Sequence, residues 1–486
     1  MAVRKLALVV CLALVGGACG ARLSDAERVA GIRAMAGAGA GDGDASTNVA
    51  VGDQSVGDVT ATPGDLTTGD IGGGGPTGAT AQTPTGGTNS GGGGAAGSPA
   101  AAKCKAGPVS ETGISDKQVT IAVASDITGP SPGLFKSTHE AVGAYANYIN
   151  SKGGVCGRQV KVLKLDTKTE SGGNRAAVLD ACGKAFAMVG SMSAFDDGGA
   201  QAVDECKIPD ISAIPTSPER INAAWTLPVN PNRQDVLAVG QSTYIKNTFG
   251  EATIKKAAIL WLNATVTRNN ATARRNAWKT VGFEFIYPKE VQVLEANYTP
   301  FIQDMKELGV EYVTMVGDNN SIARLLKAAK QQEWAPKVWD WDSVAYDPGF
   351  VELAGEAAEG SYVFVNTMMI EEGAANPEMA LYSEWLAKSS PGAEPDYFGI
   401  YAWSAVALFV DTMVALGPSP TRQALLDKLK GTAEWDGHGI HGSQGIGAKT
   451  PTTCFLYMKI TGGKFQRAYP SAVNTQDCTL AGRVQV

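Results

Sequence analysis

From Asp116 onward the chain alternates between two kinds of segment. Short runs of β-branched and aliphatic residues are followed by longer runs whose apolar positions lie three and four apart. The first pair is "QVTIAVAS" and "STHEAVGAYANYIN", and in the second Val142, Tyr145, Ala146 and Ile149 share one helical face. Ser137 or Thr138 is expected to cap that helix, and Gly153 with Gly154 to end it. "RQVKVLKLD" reads as the next strand, "NRAAVLDACGKAFA" as helix, "AMVGS" as strand, "GGAQAVDECK" as helix and "IPDISAI" as strand. Later, "IKKAAILWL" (strand) precedes two helices, "ATARRNAWKTVG" and "YTPFIQDMKELG". "EYVTMVG" (strand) then leads into "SIARLLKAAKQQ" (helix). "KVWDWDS" and "GSYVFVNT" are strands, and "PEMALYSEWLAK", "FGIYAWSAVALFVDTMVAL" and "TRQALLDKLK" are helices. "CFLYMKITGGKFQRAYP" reads as a hairpin turning at Gly462 and Gly463. Such alternation predicts an α/β fold, a parallel sheet with helices on both faces. The stretch is long for one sheet and comfortable for two lobes. In these sheets ligands bind beyond the carboxyl ends of the strands, so the loops that follow strands carry the function.

The N-terminal part follows other rules. Arg4 and Lys5 precede a short apolar run, Leu6 to Val15, and the small residues Gly16, Gly17 and Ala18 lead to Cys19. This is the layout of a signal peptide over residues 1–19. Small residues directly before a cysteine also resemble a bacterial lipobox, which would make Cys19 a lipidation site. No later segment is expected to have the length and apolarity of a membrane helix. Residues 20–103 are rich in Gly, Ala and Thr, and the first aromatic residue of the chain is Phe135. Such a stretch buries too little apolar surface to offset its ordering entropy. It is expected to be a disordered linker, and about 80 flexible residues would span roughly 50 Å.

Composition excludes several functions. The net charge is −7, with no basic stripe interleaved with aromatics, so nucleic acid is not an expected partner. Histidine occurs only at 139, 438 and 441, and no G-x-S-x-G elbow or Walker A loop is present. No enzyme activity and no cofactor is therefore expected. Cys104, Cys156, Cys182, Cys206, Cys454 and Cys478 lie beyond the leader without metal-ligand spacing. In an exported protein an even count reads as disulfides. Several pairings are open. The simplest joins neighbours: Cys182 to Cys206, Cys454 to Cys478, and so Cys104 to Cys156. Closing the first of these loops stabilises by about 3 kcal/mol on chain-entropy grounds.

"VTIAVASDITGP", followed by a helix ending "YINSKGGVCGRQVKVLKLD", resembles the start of type I periplasmic binding proteins, in the leucine/isoleucine/valine-binding branch. "GVEYVTMVGDNNSIARLLKAAKQQEW" is similar to that family's second-lobe strand and helix. The resemblance implies two Rossmann-like lobes joined by a three-crossover hinge. The N-terminal lobe would comprise 104–229 plus 366–440, and the C-terminal lobe 230–365 plus 441–486. It implies a monomer that holds a small polar solute between the lobes and delivers it to an ABC permease in the membrane. Branched-chain and other amino acids are the first candidate solutes. The protein would be extracytoplasmic, on the outer face of the membrane, held there by an N-terminal lipid. A sensor or interaction lipoprotein of the same fold is the alternative, and a secreted enzyme a more remote one.

By the same resemblance, Ser193 or Ala194 in "VGSMSAFDD" and Pro215 and Thr216 in "ISAIPTSPE" would bind the ligand from the first lobe. Phe135 would cover it. Asp342 in "VWDWDSVAYDP" would meet a ligand ammonium from the second lobe, with Asp318 after "EYVTMVG" as a further candidate. For Asp318 a role as a helix N-terminal charge competes with this.

Overall fold

The computed structural model describes residues 104–480 and 482–486. The expected signal peptide over 1–19, with Cys19, and the expected linker over 20–103 lie outside the described residues. Strand β1 (Gln118–Ser125) is followed by helix α1 (Lys136–Ser151), β2 (Gln159–Asp166), α2 (Ser171–Lys184), β3 (Ala187–Val189), α3 (Asp197–Cys206), β4 (Asp210–Ile211) and the short α4 (Pro218–Asn222). The four strands form one parallel sheet in the order β2-β1-β3-β4. β1 is buried on both faces after its first residue. Ile121 and Val123 face α1 through Val142, Tyr145 and Ile149. Ala122 and Ala124 face α2 and α3 through Val178, Ala181 and Val203. This two-sided burial explains why β1 reads as an unbroken apolar run.

α1 starts one residue before its expected caps. Phe135 is the N-cap and makes no side-chain capping bond. Thr138 instead donates its hydroxyl back to the Phe135 carbonyl at 2.8 Å, with its oxygen 2.6 Å from Ser125 Oγ. At the other end Gly154 adopts φ +77°, and a Cβ there would lie 2.0 Å from the Arg158 carbonyl oxygen. Glycine is required at that position.

A second unit follows. It contains β5 (Val236–Ala238), α5 (Gly240–Phe249), α6 (Glu251–Ile254), β6 (Ala257–Leu262), α7 (Thr265–Lys279), β7 (Phe285–Val291), α8 (Thr299–Glu307), β8 (Tyr312–Val316), α9 (Asn319–Gln331), β9 (Val338–Trp341), α10 (Pro348–Ala354) and β10 (Tyr362–Val365). The chain then returns to the first sheet as α11 (Pro377–Ser389), α12 (Tyr397–Leu416) and α13 (Arg422–Lys430), with α11 and α12 packed on α1. It ends in the second unit with β11 (Leu456–Thr461), β12 (Lys464–Tyr469) and β13 (Arg483–Gln485). The second sheet has the order β12-β11-β10-β9-β8-β6-β7. β6 to β10 pair in parallel, and β11 and β12 are added antiparallel. β5 and β13 form a separate antiparallel pair.

Sequence patterning missed β5, β7, β13 and the helices α4, α5, α6 and α10. It also missed that α12, at 20 residues, is long and apolar enough to cross a membrane by length and composition. Here 78% of its apolar window is buried in the fold. Its Trp403 donates to Glu378 Oε1 at 2.7 Å, and Ser404 Oγ lies 2.8 Å from His441 Nε2, so it is a core helix.

Three polar crossings tie the two units together. Tyr397 Oη accepts from Asn230 Nδ2 at 3.0 Å and donates to Asn366 Oδ1 at 2.9 Å. Tyr401 donates to the same Asn366 oxygen at 2.8 Å and accepts from Gln444 Nε2 at 3.3 Å. Asn230, Asn366 and Gln444 lie on the three stretches by which the chain passes between the sheets. The three disulfides join Cys104 to Cys156, Cys182 to Cys206 and Cys454 to Cys478, with Cα separations of 4.5, 5.8 and 4.1 Å.

Candidate functional site

A cavity of about 320 Å³ opens between the carboxyl ends of the two sheets. On the first side its wall comes from the loops after β3 and β4, with Met192, Ile214 and Thr216, and from Tyr397 and Phe398 at the start of α12. On the second side it comes from α7, with Asn270 and Arg274, and from Val316 and Asp342 at the ends of β8 and β9. Asn230 and Asn366 close its back.

The loops of the first side are stitched together by carboxylates. Asp166, at the end of β2, accepts from Ile127 N and Thr128 N at 3.1 Å each and from Thr128 Oγ1 at 2.5 Å. Burial opposes its charge, but these hydrogen bonds outweigh it and hold the carboxyl at about 2. Asp126 is fully buried and accepts from Ser193 Oγ at 2.8 Å, from Ala194 N at 2.7 Å and from Thr167 Oγ1. Asp196 accepts from Thr216 N at 2.7 Å and Ser217 N at 3.0 Å. Burial raises the Asp196 carboxyl to about 6 against the pull of Arg220 and these bonds.

Thr216 lines the cavity, yet all its polar groups are engaged within the protein. Its N–H is on Asp196, its hydroxyl donates to Ser193 O at 2.7 Å, and its carbonyl accepts from Gln234 Nε2 at 3.2 Å. Ser193, Ala194 and Pro215 do not line the cavity, although Pro215 O accepts from Asn232, which does. Phe135 is buried behind the cavity-lining Phe398, with ring centroids 5.0 Å apart. Its place is a supporting one.

On the second side Asp342 lines the cavity and is joined to a cation of the chain itself. Its Oδ2 accepts from Arg274 Nη2, and its Oδ1 from Ser343 N at 3.1 Å. Arg274 lies over Trp278 with Cζ 5.5 Å from the ring, and its Nη1 is buried without a hydrogen-bond partner. Asp318 is the N-cap of α9 and accepts from Ser321 N at 2.8 Å; it does not line the cavity, although Gly317 before it does.

Sequence reasoning singled out neither Arg274 nor Asp340. Asp340 is fully buried, and its Oδ2 accepts from Tyr312 Oη at 2.6 Å, Tyr457 Oη at 3.0 Å and the cavity-lining Gln241 at 3.4 Å. Burial pushes it up to about 7 against those hydrogen bonds and the nearby Arg274 charge. Strand alternation gave the available signal. Trp339 and Trp341 stack in the core at 5.4 Å, so Asp340 must face the other way.

A two-sheet frame with its cavity at the strand ends defines a binding-protein architecture. Residues 118–464 match the periplasmic binding protein family, and the chain belongs to that family. An amino acid binding protein of Pseudomonas aeruginosa is 22% identical over 340 residues, spanning 66% of this chain and 87% of that relative. Among solved structures, a leucine binding protein from Thermotoga maritima superposes with a TM-score of 0.61 at 17% identity, covering 72% of this chain and 97% of that one. A fatty acid ABC transporter substrate-binding protein from Thermomonospora curvata gives 0.62 at 18% identity, covering 76% and 98%. A branched-chain amino acid transporter substrate-binding protein from Streptococcus pneumoniae, in complex with isoleucine, gives 0.60 at 16%, covering 72% and 98%. At these identities the structural likenesses show the fold.

Proposed function

We propose that the protein is the extracytoplasmic solute-binding component of an ABC importer. It captures a small polar solute in the cavity between the sheets and presents it to a membrane permease. The observation that carries this is the cavity itself: lined by strand-end loops of both sheets, it is backed by a hydrogen-bonded set, Asn230–Tyr397–Asn366, at the crossings. Residues 104–229 with 366–440 would form one lobe and 230–365 with 441–486 the other, the crossings serving as the hinge. A ligand that touches both walls favours the closed arrangement by its difference in affinity for the two states. The relatives are proteins that bind amino acids or, in one case, a fatty acid, which supports a small organic solute here. In this reading the leader and Cys19 anchor the protein to the outer face of the membrane and the Gly-rich segment is its tether.

A thermal-shift screen over amino acids, amides, small peptides and short carboxylates tests the binding function. A true ligand at one hundred times its Kd stabilises by about 2.7 kcal/mol. For a chain of this size that is a rise of several degrees in Tm. No shift with any solute in the screen would remove the reading's support. Radiolabelled palmitate incorporation that is abolished by Cys19→Ala tests the anchor; incorporation that persists in the variant would refute it.

A further inference from the structure

We infer that the solute is an anion without an ammonium group, a small monocarboxylate held at Arg274. This rests on the solute-binding reading above and extends it by assigning the ligand's charge and the wall that meets it.

The donors expected to meet a ligand from the loops after β3 and β4 are already engaged within the protein. The N–H groups of Ala194, Thr216 and Ser217 and the hydroxyl of Ser193 are all spent on Asp126 and Asp196. Both carboxylates are buried, so a ligand carboxylate set against this wall would face like charge at low dielectric. Three amides around the cavity each spend one N–H within the protein: Asn270 on Val266 O, Asn232 on Pro215 O and Gln241 on Asp340.

An ammonium fares no better. Asp342 is the one carboxylate among the residues lining the cavity, and Arg274 already neutralises it. A ligand ammonium would have to share that carboxylate with the guanidinium, whose like charge, on a side chain only 12% exposed, opposes it.

An anion need not displace Asp342. Arg274 borders the cavity and keeps Asp342 on Nη2, and its enclosed, unpartnered Nη1 gains a carboxylate partner through a small shift of the guanidinium toward the solute. A guanidinium offers five donors in a planar fork that matches the two oxygens of a carboxylate. The charges lining the cavity are two arginines against one aspartate. The second arginine, Arg233, gives both Nε and Nη2 to Asp235, whereas Arg274 gives Asp342 only Nη2, which makes Arg274 the seat. The body of the ligand would lie against Met192, Ile214, Val266 and Val316.

The test is calorimetric titration of the full chain with matched sets: hexanoate, norleucine and hexanamide; 4-methylpentanoate, leucine and 4-methylpentanamide; 3-phenylpropanoate, phenylalanine and 3-phenylpropanamide. The expected result is that at least one carboxylate binds, at least about tenfold more tightly than its amino acid and its amide. Arg274→Gln should weaken that carboxylate about 10- to 100-fold, the range of a charge-assisted hydrogen bond. Asp342→Asn should keep or tighten it, because it frees the guanidinium; an Asp342 that held a ligand ammonium would instead make this variant lose binding. Asp342→Asn retains the cap to Ser343 N and so keeps the test open should Arg274→Gln fail to fold. If an amino acid or an amide binds as well as its carboxylate, the inference is overturned while the solute-binding reading stands. If no member of any set binds, the inference is overturned, and the solute-binding reading stands or falls on the thermal-shift screen.

Discussion

Asp340 shows how one residue links stability to the cleft. It is fully buried, reached by three donors on Oδ2, with Oδ1 unpartnered. Its carboxyl is raised from 3.8 to about 7, chiefly by burial, so the folded state holds a proton that the unfolded chain releases near pH 4. The associated stability is fully present below the unfolded pKa and is lost as pH rises through about 7. Asp340→Asn should therefore be close to neutral at pH 4 and more stable than the parent at pH 8, by on the order of 2 kcal/mol. Thermal denaturation of both proteins across that range checks this; a difference independent of pH would contradict it. The same residue marks a limit of sequence reading. Its facing was legible from the flanking tryptophans, but Tyr312 and Tyr457 lie 28 and 117 residues away. Asp126 and Asp196 were hidden for the same reason: their partners sit 67 and 20 residues along the chain, and nothing local signals that a carboxylate will take the donors of another loop.

Single elements are fixed by few groups. Arg158, 1% exposed, donates to three carbonyl oxygens: Ser115 at 2.7 Å, Gly107 at 2.9 Å and Pro418 at 2.7 Å. With the Cys104–Cys156 disulfide it ties the first described residues to the body of the fold. Arg158→Gln leaves three part-buried carbonyls short of donors and should cost about 1–3 kcal/mol. Urea denaturation measures this, and a loss below half a kcal/mol would contradict the assignment. Elements with a strong period, such as β1 and α1, were legible because both faces of β1 and one face of α1 are apolar. β7 was not. Its "FIYPKEV" carries Pro288 and Lys289, both exposed, a pattern that only an edge strand paired on one side tolerates. β5 escaped because it is three residues long and pairs with β13 at the far end of the chain.

At the scale of the whole molecule, α12 is the axis. It packs on α1 of the first sheet, while its first two turns place Tyr397 and Tyr401 on the asparagines and glutamine of the crossings. A change at the cavity is thereby coupled to the stretches about which the two units would rotate. Tyr397→Phe removes its two hydrogen bonds and strands buried Asn230. It should lower stability by about 1–3 kcal/mol, as read by thermal denaturation. The two-sheet plan was legible in the sequence because alternation is a global pattern, whereas the charge of the cavity arises from packing that brings Arg274 to Asp342. The central claim is that this frame closes around a solute. Small-angle X-ray scattering of the full chain, with and without the best-stabilising solute, tests it most directly. A smaller radius of gyration and maximum dimension with solute is the predicted result. Superimposable curves at saturating solute would contradict the account.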